Sequence, residues 1–386
     1  MIVYMTNKLR IGIVCYPTYG GSGVIATELG IALSEEGHEV HFISYDQPFR
    51  LDLFSEKIYY HEVTVPDYPL FEYAPYELNL TSKLVDVAMH EKLNILHVHY
   101  AIPHASAAVN AKQILATYGI DLPIVTTLHG TDITLLGKDK SFQPVIEYAI
   151  NMSDAVTVVS EDLKRETLEY FNIKKEIQTI SNFIDMSLYQ KTVDEKLRGN
   201  FANKEEFIIT HISNFRKVKR VKDVVRIFDK VNREVPCKLL MIGDGPERLQ
   251  AEELCRELGM GSRVRFLGKI RVIEKMLAIS DVFVLPSETE SFGLVALEAM
   301  ASETAVISTN SGGISEVNIE GKTGFLSSVG DVDKMAEDTI TLLKDRELLK
   351  SFKINALAHA KSFSIQDVLP KYNAIYLGLC YIKKNR

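Results

Sequence analysis

The sequence is poor in the features that mark special classes of protein. Its four cysteines, Cys15, Cys237, Cys255 and Cys380, lie far apart with no paired spacing. That disfavours a disulfide frame or a zinc ribbon and fits free thiols in a reducing compartment. No stretch reaches the roughly 18 apolar residues that a membrane span needs. The start, MIVYMTNKLRIGIVC, has a short apolar run and no small-residue cleavage site, so no signal peptide is expected and the reading is cytoplasmic. Positive charge is also in deficit: 44 Lys and Arg stand against 51 Asp and Glu, a net −7. A general nucleic-acid binder would more often be basic. There is no internal repeat and no low-complexity tract.

What is present is an ordinary globular composition, 46% hydrophobic and 25% charged, on a chain of 386 residues. That length exceeds one ordinary core and predicts two domains. LRIGIVC, EVHFIS, NILHVH, PIVTTLH, AVTVVS and IQTIS are Val- and Ile-rich runs with the look of buried parallel strands, and helix-length segments separate several of them. After IQTIS the pattern lapses into NFIDMSLYQKTVDEKLRGNFANKEE, read as a linker. It restarts with FIITHIS, CKLLMIG, VRFLG, DVFVLP and AVIST. The expected fold class is therefore α/β, two doubly wound Rossmann-like domains over 1–182 and 183–364 facing across a cleft. Residues 365–386 read as a helix with an apolar face and a basic end. Packing back on the N-terminal domain is preferred over lying on a membrane, since Asp367 and the overall acidity do not favour anionic lipid.

Several loops carry chemistry. Gly21-x-Gly23-x-x-Ala26 fits a dinucleotide fingerprint with Asp46 some 20 residues on, so an NAD-linked dehydrogenase is one reading. Against it, Tyr16 to Tyr19 lengthen the turn after the strand, so that the Gly20-Gly21 backbone can lie close beside a ligand in the cleft. His97, His99, His104 and His129 fall near strand ends, yet no cysteine or carboxylate is placed to complete a zinc tetrahedron, and no metal is expected. His129, followed by Gly130-Thr131-Asp132, is the one expected to hydrogen-bond a substrate hydroxyl as a neutral imidazole. The DVD at 331–333 reads as a helix N-cap rather than a metal-diphosphate motif. Arg216, Lys217, Lys219 and Arg220 sit at a helix N-terminus, where the macrodipole disfavours cations, which points to a bound phosphate or diphosphate. Gly243 in GDGPE adds a glycine turn at the same sheet edge.

ESFGLVALE at 290–298 places two glutamates eight apart. On one helix they would stand about 80° apart and about 12 Å along the axis. Gly293 instead suggests a loop followed by a helix beginning at Leu294, with the two carboxylates flanking its N-terminus.

Together, GGSG, HGTD, the basic loop, GDGPE and ESFGLVALE resemble a family 4 glycosyltransferase of the GT-B fold over nearly the whole chain. The resemblance implies that Glu290 contacts donor-sugar hydroxyls and Glu298 the ribose. The N–H groups of Ser291, Phe292, Gly293 and Leu294 would meet the phosphates and sugar. Arg216 and Lys219 would bind the diphosphate, and Lys269 would lie near the uracil. Within the family, CYPTYGGSG, HVHYAIPHA, TTLHGTDIT and SNFRKVKR are similar to the branch that moves GlcNAc from UDP-GlcNAc to the hydroxyl of L-malate, the first step of bacillithiol synthesis. By that similarity Tyr100 and Thr127 contact malate, with Ser22 nearby; Arg50 is added for a malate carboxylate from its charge alone. Asn214 stands where a family arginine is common, Phe183 where glycine is frequent, and Ser302-Glu303 where Cys-Gly is frequent. The resemblance implies retention of anomeric configuration by front-face attack, with no cofactor, no metal, and small-molecule partners only; a homo-oligomer is left open. A non-catalytic nucleotide-sugar binding module is the remaining alternative.

Overall fold

Parallel strands buried on both faces require near-continuous branched runs, and the chain folds where it supplies them. The computed structural model describes residues 8–18, 20–51, 55–65, 73–189 and 194–384. The leader reading (residues 1–7), Tyr19, residues 190–193 of the segment read as a linker, and 385–386 lie outside the described residues. The chain divides into two compact units, Met1–Asn182 with Ile365–Arg386, and Phe183–Ser364.

Unit 1 contains β1 (Arg10–Val14), α1 (Ser22–Glu35), β2 (Glu39–Ser44), β3 (Ile58–Glu62), α2 (Tyr76–His90), β4 (Ile95–His99), α3 (Ser106–Thr117), β5 (Ile124–Leu128), α4 (Gln143–Met152), β6 (Ala155–Val158), α5 (Glu161–Tyr170) and β7 (Ile177–Thr179). Its sheet is parallel in the order β3-β2-β1-β4-β5-β6-β7. Unit 2 runs through α6 (Glu195–Gly199), β8 (Phe207–Ile212), α7 (Val221–Glu234), β9 (Cys237–Ile242), α8 (Arg248–Glu257), β10 (Val264–Gly268), α9 (Ile273–Ala278), β11 (Val282–Leu285), α10 (Leu294–Ala301), β12 (Ala305–Thr309), α11 (Ile314–Val317), β13 (Gly324–Ser327), α12 (Val332–Lys344) and α13 (Arg346–Ala360). Its strand order is β10-β9-β8-β11-β12-β13, again parallel. In each sheet the winding reverses once, between β1 and β4 and between β8 and β11. A ligand in such a sheet sits beyond the carboxyl ends of the strands at that reversal.

α14 (Ile365–Lys384) completes unit 1. Val368, Leu369, Tyr372 and Tyr376 are buried, and the Tyr376 hydroxyl lies 2.7 Å from His97 Nδ1. Asn373 donates to Glu36, the residue that ends α1, at 2.5 Å. The apolar face of this helix is covered by protein. Among the described residues no helix is long and apolar enough to cross a membrane.

The structure corrects the linker reading of the segment after β7. Phe183, Ile184 and Tyr189 are buried, Ile184 N–H donates to the Phe363 carbonyl at 2.9 Å, and Arg198 pairs with Asp281 at 2.9 Å. These residues belong to unit 2; their spacing lacked a period because they dock singly rather than as one face of an element.

Candidate functional site

The loops at the two reversals hold most of the residues singled out by sequence. In unit 2, β8 leads through Ser213–Phe215 and a short 3-10 turn, Lys217–Lys219, into α7. β11 leads through Pro286 to Gly293 into α10. The close approach of Lys219 to Glu290 joins the two loops: Nζ donates to Oε1 at 2.6 Å, and Ser287 Oγ donates to the same oxygen at 2.7 Å. Arg220 is tied to Asp223 at 2.5 Å and to Glu288 at 3.5 Å. The chain's own carboxylates thus answer two of the four cations whose clustering had pointed to a bound anion. Arg216 and Lys217 are exposed and have no carboxylate partner among the described residues. Asn214, in the same loop, is exposed, as is Lys269 directly after β10.

Gly293 adopts φ 91° and begins α10 with no side-chain cap, so the first N–H groups of the helix, from Leu294 onward, carry no cap. A Cβ on Gly293 would lie 2.4 Å from Ile314 Cδ1. Phe292 beside it is buried and meets Phe363 edge-on, which fixes the loop. Ser291 and Leu294 flank that anchor with partial exposure. Glu298, one turn into α10, is buried and accepts a hydrogen bond from the Tyr189 hydroxyl at 2.8 Å. The two glutamates therefore occupy a loop and a helix. Gly243, at φ 120°, brings the β9–α8 loop against the β8–α7 loop so closely that a Cβ would lie 1.8 Å from the Ser213 carbonyl oxygen.

In unit 1, six residues separate the end of β1 from Gly21, which begins α1 at φ 60° with no side-chain cap. The Ser22 and Tyr100 hydroxyls are 2.6 Å apart, and Tyr100 lies against Tyr16 and His129 with ring centroids 5.4 and 5.2 Å away. His129 Nε2 is 2.7 Å from His99 Nδ1. Burial pushes the His129 pKa down to about 3, so the ring is neutral at ordinary pH. Thr127 lies on β5. Its hydroxyl is fully buried, 2.7 Å from both His97 Nε2 and Thr157 Oγ1, and its neighbour in turn is the Tyr376 hydroxyl on α14. Arg50 is engaged by Glu28 of α1 in a largely buried ion pair.

Sequence reasoning passed over several contributors. Asp132 is fully buried; its Oδ2 accepts the Ala101 N–H at 2.6 Å, Oδ1 has no side-chain partner among the described residues, and burial raises its pKa to about 6. Asp132 sits inside the quoted HGTD, so that signal was available. Tyr189 lay in the patternless segment and carried none. His99 and His129 form a hydrogen-bonded pair, His97 stacks on His99 and meets the Tyr376 hydroxyl, and His104 Nδ1 lies against the His99 carbonyl. Asp331 caps α12 by accepting the Lys334 N–H, as the N-cap reading expected. Cys15 is wholly buried with its pKa pushed up to about 12, an inert thiol.

Two Rossmann-like units with site loops at both reversals define the GT-B class of glycosyltransferases, and solved structures share the fold. A sucrose-phosphate synthase from Thermosynechococcus elongatus superposes with TM-score 0.81 at 21% identity, covering 96% of this chain and 99% of its own. A glycosyltransferase from Rickettsia africae gives 0.78 at 22% identity, covering 96% and 98%. The family models agree: residues 19–188 match Glycosyltransferase Family 4 and 193–359 match Glycosyl transferases group 1. N-acetyl-alpha-D-glucosaminyl L-malate synthase of Bacillus anthracis is 49% identical over 380 residues, 98% of this chain and 99% of that one. The chain belongs to glycosyltransferase family 4, and it is an enzyme of that kind. The dehydrogenase and binding-module readings fall with that assignment.

Proposed function

We propose that the protein transfers GlcNAc from UDP-GlcNAc to the hydroxyl of L-malate with retention, giving GlcNAc-α-malate for bacillithiol synthesis in the cytoplasm. The observation that carries the reading is the 49% identity over 98% of the chain to a protein of that name. In unit 2, Glu290 takes donor-sugar hydroxyls, Glu298 the ribose and Lys269 the uracil end. The uncapped start of α10 and the exposed Arg216 face the diphosphate, an anion suited to both. Lys219 has three donors, so it can hold Glu290 and a phosphate oxygen at once. Gly243 and Asn214 shape the same loops. In unit 1 Gly21 meets the donor, and the acceptor meets the Ser22–Tyr100 hydroxyl pair and neutral His129. Thr127 supports this set from behind through His97, and Arg50 supplies a cation that Glu28 holds in place.

The malate hydroxyl oxygen attacks the anomeric carbon on the face the diphosphate leaves. The bond from that carbon to the β-phosphate oxygen breaks, and the hydroxyl proton passes to the departing diphosphate. Catalysis then rests on positioning and on stabilising charge that grows on the leaving group. Cations and backbone N–H groups serve that purpose without a metal or cofactor. The test is UDP release from UDP-GlcNAc in EDTA, with and without L-malate. Malate-dependent release supports both substrates and a metal-free reaction. Release only with another hydroxylated acceptor keeps the family and discards malate.

A further inference from the structure

A group of side chains that could ligate a metal lies in unit 1, outside the loops described above. His41 is on β2, His61 is on the edge strand β3, and Glu91 closes the C-terminus of α2. One ring nitrogen from each histidine and one Glu91 oxygen all lie within 4.8 Å of one another, the one such group among the described residues. His41 Nδ1 and His61 Nε2 are 3.0 Å apart. Two nitrogens bound to one zinc at about 2.0–2.1 Å in tetrahedral geometry stand about 3.3 Å apart, so this spacing is close to that of a shared ion.

We propose that His41, His61 and Glu91 form a zinc-class transition-metal site, completed by water, that fastens the edge strand β3 and its neighbour β2 to the end of α2. Two observations beyond proximity support it. The Glu91 carboxylate is half-buried and takes part in no ion pair or hydrogen bond among the described residues. The charged groups around the rings are Glu39, Asp86 and Glu91 against Arg10 and Lys83, an excess of negative charge that suits a cation. Two imidazoles and one carboxylate are a donor set that zinc accepts, with one position left open.

The full chain, stripped with EDTA and desalted, is titrated with ZnCl2 by calorimetry and followed by thermal unfolding; CoCl2 is then used for visible absorption. The expected result is one saturable ion per chain with a dissociation constant in the micromolar range or below, a raised Tm, and the absorption of four-coordinate cobalt. His61→Ala and Glu91→Gln, both at partly exposed positions, should each weaken binding by at least tenfold. His90→Ala, at the exposed neighbour of Glu91, should leave it unchanged. No saturable zinc binding at micromolar concentration, or binding that survives both His61→Ala and Glu91→Gln, overturns the proposal. UDP release in EDTA reads the transfer reaction separately, so failure of one reading leaves the other standing.

Discussion

Lys219 and Glu290 are 71 positions apart in the chain and 2.6 Å apart in space. Sequence marked both, one by its unfavourable place at a helix start and the other by its spacing from Glu298. Neither signal said that they touch, because ion pairing across two loops leaves no periodic trace. An ammonium aimed at a developing phosphate charge acts mainly in the transition state, so Lys219→Ala should lower kcat by roughly a hundredfold or more. UDP release at saturating donor and malate measures it, and near-native turnover would sink the role assigned to Lys219. Glu298 was legible from the same motif, whereas its partner Tyr189 was not, since a single docking residue in a polar stretch looks like any other. Thr127 is a similar case: resemblance marked it, and no sequence signal pointed to His97 and Thr157, which its hydroxyl meets.

Among the elements, sequence found every inner strand of both sheets and two edge strands, β7 and β10. The two it missed, β3 with IYYHE and β13 with GFLS, lie at sheet edges, where one side needs no apolar run. The glycine turns were legible as turns, but their necessity is a matter of packing between elements. Gly243→Ala must force the Ser213 carbonyl aside and hold alanine at φ 120°, a combination that should cost at least about 2 kcal/mol. Differential scanning calorimetry should show a clear fall in Tm, and an unchanged Tm would mean that the two loops yield freely. α14 was read as packing on unit 1, and its anchor there is the Tyr376 hydroxyl on His97. Tyr376→Phe keeps the ring but leaves a buried nitrogen unpaired, at a cost of about 1–3 kcal/mol. Denaturant titration checks this; a shift under half of that would mean His97 finds another partner.

At the scale of the whole chain, the buried histidines are unevenly shared. In unit 1, burial lowers the pKa of His38, His41, His61, His97, His99, His104 and His129; in unit 2, it lowers His211 and His359. The unfolded chain takes up protons on these rings below about pH 6.5. The folded chain resists, His41 and His104 until about 4 and His97 and His129 until about 3. Stability from these groups is therefore complete above about 6.5 and is lost as the pH falls toward 3–4. Asp132 acts in the opposite sense: its pKa is raised from 3.8 to about 6, so its contribution is lost as the pH rises through that window. One aspartate cannot offset seven histidines, so acid should open unit 1 before unit 2. The expected result is that amide hydrogen exchange in β4 and β5 accelerates between pH 7 and 5, after correction for the intrinsic rate, while β8 and β9 stay protected. Exchange followed by mass spectrometry suits a chain with no tryptophan to report locally. If β8 and β9 open first, the histidine cluster is not what sets acid stability, and the ion pairs of unit 2 would be the place to look.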